Sequence, residues 1–114
     1  TCIRDYIHVT DLARAHMSAL AYLRKGGATD IFNCGYSKGF SVLDVISAVK
    51  RVSGVDFNVT MSPRRLGDPA AIVAASGKIR ETLGWKPAND DLDQIVAQAL
   101  AWENTLQQRF KAAS

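Results

Sequence analysis

Leu92, Ile95, Val96, Ala99, Trp102, Leu106 and Phe110 recur at spacings of one, three and four residues over about five helical turns, and that stripe makes the first demand on any fold. A helix of that length needs a broad apolar surface to lie on, and Asp90 or Asp91 is placed to open it. Two shorter stripes lie upstream. Leu12, Ala15, Ala19 and Leu23 repeat between an N-cap at Thr10, with Asp11 in the first turn, and the stop Arg24-Lys25-Gly26-Gly27. Val42, Val45, Ile46 and Val49 follow Ser41, which Asp44 completes into a near capping box, and Gly54 ends that helix. Ser76 heads a brief helix carrying Ile79 and Leu83 to Gly84, broken by Trp85-Lys86-Pro87. Between the helices, residues 2–9, 31–34, 56–61 and 72–75 read as short strands. Strands alternating with helices give the α/β class.

Composition excludes several functions. With 47% hydrophobic and 22% charged residues, the 114-residue chain is globular in composition, either one small domain or part of a larger one. Its net charge of +3 permits anionic ligands, but no run of Lys and Arg exceeds two residues, so no nucleic-acid partner is expected. No apolar run is long enough to span a bilayer, so no membrane partner is expected, and Thr1 begins no signal peptide. Cys2 and Cys34 stand in no metal-type spacing and read as reduced cytoplasmic thiols. His8 and His16 form no H-E-x-x-H, and each is expected to be structural. There is no G-x-G-x-x-G, and Gly77-Lys78 is not the end of a phosphate loop. The absence of an initiator methionine, together with a strand-like start, leads to the expectation of a piece of a longer protein.

Charge and backbone stiffness concentrate in residues 62–70. Pro63 and Pro69 fix their own φ and push the preceding residues out of the helical region, so the loop between them can aim side chains. It carries Arg64 and Arg65, whose mutual repulsion suits a phosphate or carboxylate partner, and Asp68, which suits an arginine or a sugar hydroxyl. A solvated polar turn holding an Arg-Asp pair fits the same spacing. Arg4 and Tyr6 alternate and would share one strand face, either to hold a phosphate or sugar hydroxyl or as a stacked pair, while Asp5 points the other way.

Arg4-Asp5-Tyr6-Ile7-His8-Val9-Thr10-Asp11-Leu12-Ala13 is joined by Asn33-x-Gly35, Gly39-Phe40-Ser41-Val42-x-x-Val45-Ile46, Arg64-Arg65-x-Gly67-Asp68-Pro69-Ala70 and Leu83-Gly84-Trp85-x-Pro87. In order and spacing, from Arg4 to about Trp102, this set resembles the C-terminal third of the UDP-glucose 4-epimerases of the extended short-chain dehydrogenase/reductase family. The resemblance implies that residues 1–114 form a small α/β substrate-binding segment, with the Rossmann nucleotide domain elsewhere. It implies an enzyme that interconverts UDP-glucose and UDP-galactose by transient NAD-dependent oxidation at sugar C4, cytoplasmic and homodimeric. It assigns Arg4, Tyr6, Arg65 and Asp68 to the UDP-sugar, the arginines at the diphosphate and the aspartate at the ribose. The family's Tyr-x-x-x-Lys is absent, because Tyr6, Tyr22 and Tyr36 are followed four residues on by Thr10, Gly26 and Phe40. No catalytic, NAD-binding or metal-binding residue is therefore assigned. Two positions depart from the pattern: Ala75 stands where an aspartate is usual, and Ile72 where some members carry a large aromatic. Another sugar-nucleotide dehydratase, decarboxylase or epimerase, or a stand-alone nucleotide-binding or interaction module, are the competing readings.

Overall fold

The capping chemistry read from the sequence sets two of the four helix starts in the computed structural model, which describes residues 1–113. Ser41 and Asp44 form a reciprocal capping box on α2 (Val42–Ser53), and Gly54 closes that helix in the left-handed region at φ 70°. Asp91 heads α4 (Leu92–Ala112), its carboxylate accepting from the Asp93 and Gln94 amides. Helix α1 (Val9–Arg24) begins two residues earlier than the sequence suggests. His8, not Thr10, is its N-cap: the imidazole Nδ1 accepts the Thr10 amide at 3.0 Å. Helix α3 (Gly77–Leu83) follows Ser76, whose side chain makes no cap bond. It bonds instead with the Ser37 hydroxyl at 2.6 Å.

The strands contract to two residues each. β1 (Ile3–Arg4) pairs antiparallel with β2 (Phe40–Ser41) and parallel with β3 (Ala71–Ile72), in the order β2-β1-β3. Ile3 faces Ser41 on one side and Ala71 on the other. The expected strand over residues 2–9 stops at Arg4, because Asp5 turns its carboxylate to the Tyr36, Ser37 and Ala74 amides at 2.9–3.3 Å. Those bonds take the place of a ladder. Residues 31–34 and 56–61 are not strands, since neither finds a ladder partner among the described residues. Phe32 instead packs edge-on to Tyr22, and the Lys50 ammonium lies 5.3 Å over the Phe57 ring.

The core forms where α1, α3 and the chain before α4 meet. Ala15, Tyr36, Ile79 and Trp85 are buried together, with Ile7, Phe32, Cys34, Leu83 and Ile95 around them. A second seam joins α2 to α4, with Ala48 and Val96 buried. Beyond Ala99 the α4 stripe is largely open: Trp102 is 52% exposed. Among the described residues no helix is long and apolar enough to cross a membrane.

Candidate functional site

The rigid loop and β1 come together at Asp68. Its preceding Gly67 sits at φ 80°, a left-handed conformation that a side chain would strain. That turn returns the carboxylate toward β1, where Arg4 donates to Oδ1 at 2.6 Å and the Cys2 thiol donates to Oδ2 at 3.4 Å. Arg65 stands 3.7 Å from Oδ2 with 87% of its side chain exposed. Hydrogen bonding from Cys2 holds the Asp68 carboxyl below the ordinary carboxylate range against the effect of desolvation, helped by the charges of Arg4 and Arg65. Asp68 is thus ionised at neutral pH, with lone pairs free to accept hydroxyl hydrogens.

A cleft of about 340 Å³ opens over this group. Arg64, Arg65 and Asp68 line it on the loop side, Thr1 and Cys2 at the start of the chain, and Val42, Leu43 and Ile46 along the first turns of α2. Such a mixture of an apolar wall with a few charged groups suits a ligand carrying a ring and an anion. Arg4 lies behind Asp68 and lines a second cleft of about 570 Å³, with Asp5, Asn33, Cys34 and Ile72. The structure therefore brings Arg4, Arg65 and Asp68 together and leaves Tyr6 out, half-buried on the connection between β1 and α1 and lining neither cleft. Arg4 also spends a second nitrogen on the Ile3 carbonyl at 2.7 Å. Its hold on Asp68 is accordingly fixed.

Two carboxylates to which the sequence reading gave no part in the site organise the surroundings. Asp5 gathers the 35–37 loop and residue 74 as described, and a Cβ at Gly35 would lie 2.6 Å from its Oδ2. Glycine is required there. Asp11, expected only to favour the helix dipole, is fully buried. It accepts the Tyr36 hydroxyl at 2.6 Å, the Asn89 amide at 2.8 Å, the Ala88 amide and Arg14, while its own carbonyl accepts the Trp85 indole N–H at 2.9 Å. Burial pushes its pKa up, but the bonds from Tyr36, Asn89 and Ala88 prevail and lower it to about 2. Tyr36 moves the other way, raised by burial and by its bond to Asp11. The signal for this node was the aspartate's place two residues before a small-residue helix face, which alone does not distinguish it from a dipole partner. Among the described residues no group of three His, Cys, Asp or Glu side chains could hold a metal ion.

No protein-family model matches the chain. It is 53% identical over 108 residues to a UDP-glucose 4-epimerase of Azospirillum brasilense, covering 95% of this chain and 31% of that protein. A UDP-glucose 4-epimerase of Lacticaseibacillus casei is 46% identical over 110 residues, 96% of this chain and 33% of its own length. Among solved structures, the UDP-Glc/GlcNAc 4-epimerase of Campylobacter jejuni superposes with a TM-score of 0.84 at 50% identity, covering 92% of this chain and 32% of that one. The UDP-glucose-4-epimerase of Stenotrophomonas maltophila, solved with NAD and formylated UDP-arabinopyranose, gives 0.90 at 36% identity over 96% of this chain and 32% of its own. The chain spans about a third of the length of the relatives it matches. In sequence and in fold it corresponds to the C-terminal segment of the UDP-glucose 4-epimerases, enzymes of the extended short-chain dehydrogenase/reductase type.

Proposed function

We propose that this chain is the nucleotide-gripping, C-terminal substrate-binding segment of a UDP-glucose 4-epimerase that interconverts UDP-glucose and UDP-galactose at sugar C4. The observation that carries the reading is the cluster of Arg4, Arg65 and Asp68 beside an open, partly apolar cleft. Arg65 projects toward solvent and has donors to spare for a diphosphate. Asp68 accepts ribose hydroxyls, oriented by Arg4. Charge-assisted contacts contribute about 1.5–3 kcal/mol each, and binding energy held at the non-reacting nucleotide places the sugar for chemistry elsewhere.

NAD, present in the Brucella ovis and Bifidobacterium longum structures, does not fit the residues of this chain alone. A dinucleotide diphosphate takes an open helix N-terminus behind a glycine-rich loop. Here the starts of α1, α2 and α4 are closed by the chain's own His8, Ser41 with Asp44, and Asp91, and no glycine-rich loop precedes the short, uncapped α3. Hydride transfer is accordingly assigned to residues outside this chain, and the chain by itself binds no NAD and shows no epimerase activity. In the whole enzyme the proposal includes a cytoplasmic homodimer.

Titration of the chain with UDP, followed by amide NMR, tests the reading. Weak binding with shifts at Arg65, Asp68 and the first turn of α2 is the expected result. Shifts confined to other surfaces, or none at millimolar UDP, would overturn it.

A further inference from the structure

Arg64 and Arg65 leave the loop from a backbone held on both sides. After them, the Asp68 amide donates to the Arg65 carbonyl at 3.3 Å and closes a four-residue turn with Gly67 in its third place. Before them, Pro63 fixes its own φ, and residues 61–65 run without helix or turn. Such a backbone sends successive side chains apart, so the two guanidiniums reach toward different points, yet both line the cleft of about 340 Å³. Their partners differ. Arg65 lies 3.7 Å from Asp68 Oδ2, whereas Arg64 is exposed and, among the described residues, has no anionic partner. Arg4 bonds one terminal nitrogen to Asp68 Oδ1 and the other to the Ile3 carbonyl, and it lines the neighbouring cleft. It balances the Asp68 charge. The first cleft therefore keeps a surplus of two positive charges, those of Arg64 and Arg65.

We infer that Arg64 is a further substrate-binding residue, which grips the phosphate farther from the ribose and so makes this cleft prefer a nucleoside diphosphate to a monophosphate. The inference rests on the reading of this cleft as a UDP site and deepens it. The diphosphate linkage of a sugar nucleotide carries one negative charge on each phosphate, which matches the surplus in sign and in number. Asp68 takes the ribose and Arg65 stands beside it, so Arg65 meets the phosphate next to the ribose. Arg64 lies one residue farther from the Asp68 turn and meets the next phosphate. It gives up no ion pair to do so, and its origin on the backbone is already fixed, so little ordering is left to offset the contact.

The test uses Arg64→Ala and Arg65→Ala in this chain, titrated with UDP and UMP. Arg64 is exposed and bonded to nothing in the protein, so its replacement leaves the fold intact, which circular dichroism checks. Arg64→Ala is expected to raise the dissociation constant for UDP about tenfold, the lower end for a charged contact, and that for UMP by less than about twofold. Arg65→Ala should raise both. Equal losses for UDP and UMP in Arg64→Ala, or no loss, would overturn the inference, as would a loss confined to UDP in Arg65→Ala. Pyrophosphate separates the role of Arg64 from the nucleotide reading. Followed by the arginine Nε–H resonances, it should move both Arg64 and Arg65 in the wild-type chain and bind more weakly in Arg64→Ala. If it does so in a chain that UDP does not bind, the two-arginine grip stands and the assignment of the cleft to UDP falls. If UDP binds while the Arg64 resonance stays in place, the assignment stands and the role of Arg64 falls. Binding of neither ligand refutes both.

Discussion

Asp11 closes the start of α1, the Tyr36 loop and the turn before α4 on one buried carboxylate, so its ionisation is coupled to folding. Its pKa is lowered from 3.8 to about 2, which means the unfolded chain binds the proton first as pH falls. The stabilisation is fully present above pH 3.8 and is lost as pH drops through about 2. Discounted for solvent screening, it amounts to roughly 1–2 kcal/mol. Denaturant midpoints measured between pH 5 and pH 2 should fall in wild type and fall less in Asp11→Asn, which starts lower. Arg65→Ala should weaken UDP binding by about 1.5–3 kcal/mol, the value of one charged contact. Arg4→Ala should weaken it too, because it releases Asp68 Oδ1; calorimetric titration of both variants checks this. The stiffness and charge of the loop were legible at this scale, since two prolines and two arginines fall within seven residues. The thiol on Asp68 was not, because it joins residues 66 apart. Trp85 is 2% exposed and bonded to the Asp11 carbonyl, so its fluorescence in a Trp102→Phe background should resist quenching by acrylamide.

Helices were legible as elements and strands only in part, at residues 2–9 and 72–75, for a shared reason. A helix closes its hydrogen bonds within its own sequence, and its caps are neighbours: Ser41 with Asp44, Asp91 with Asp93. A strand is defined by a partner that the local pattern does not name. Phe57, Val59 and Met61 alternate as a half-buried strand should, yet Met61 is 67% exposed and the segment runs as an irregular arm along the cleft. Conversely Phe40 and Ser41, read only as the approach to a helix, pair with β1. The start of α1 was displaced because His8 was weighed as a strand residue, while its ring both caps Thr10 and meets Gln98 at 2.6 Å. Loss of the α2 cap offers a clean check at this scale. Ser41→Ala should lower stability by about 1 kcal/mol, seen as a shift in the denaturant midpoint without a change in slope.

As a whole molecule the chain is too extended to cover its apolar surface. Its radius of gyration is 17.5 Å, against about 13 Å for a compact domain of this length. Val9, Met17, Leu20 and Leu23 on α1, and Ile31 beyond it, are each more than two-fifths exposed. An exposed apolar face drives association. The purified chain should therefore self-associate through its first 35 residues, and sedimentation over a concentration series checks it; a strict monomer at high concentration would contradict the expectation. Molecular extent was hidden from the sequence, because periodicity reports which side of a helix is apolar and not whether anything lies against it. The Tyr36 hydroxyl, bonded at once to the His8 amide, Asp11 and the Asn89 carbonyl, spans the segments that must part when the chain opens. Since its proton is held above the ordinary phenol range in the folded state, stability is intact below the unfolded phenol's pKa and drains away as the solution becomes more alkaline. With Tyr6 and Tyr22 replaced by phenylalanine, the molecule thus carries its own optical gauge: the ultraviolet absorbance of the one remaining tyrosinate grows in as the chain comes apart, so an alkaline titration reads unfolding without any added dye or label.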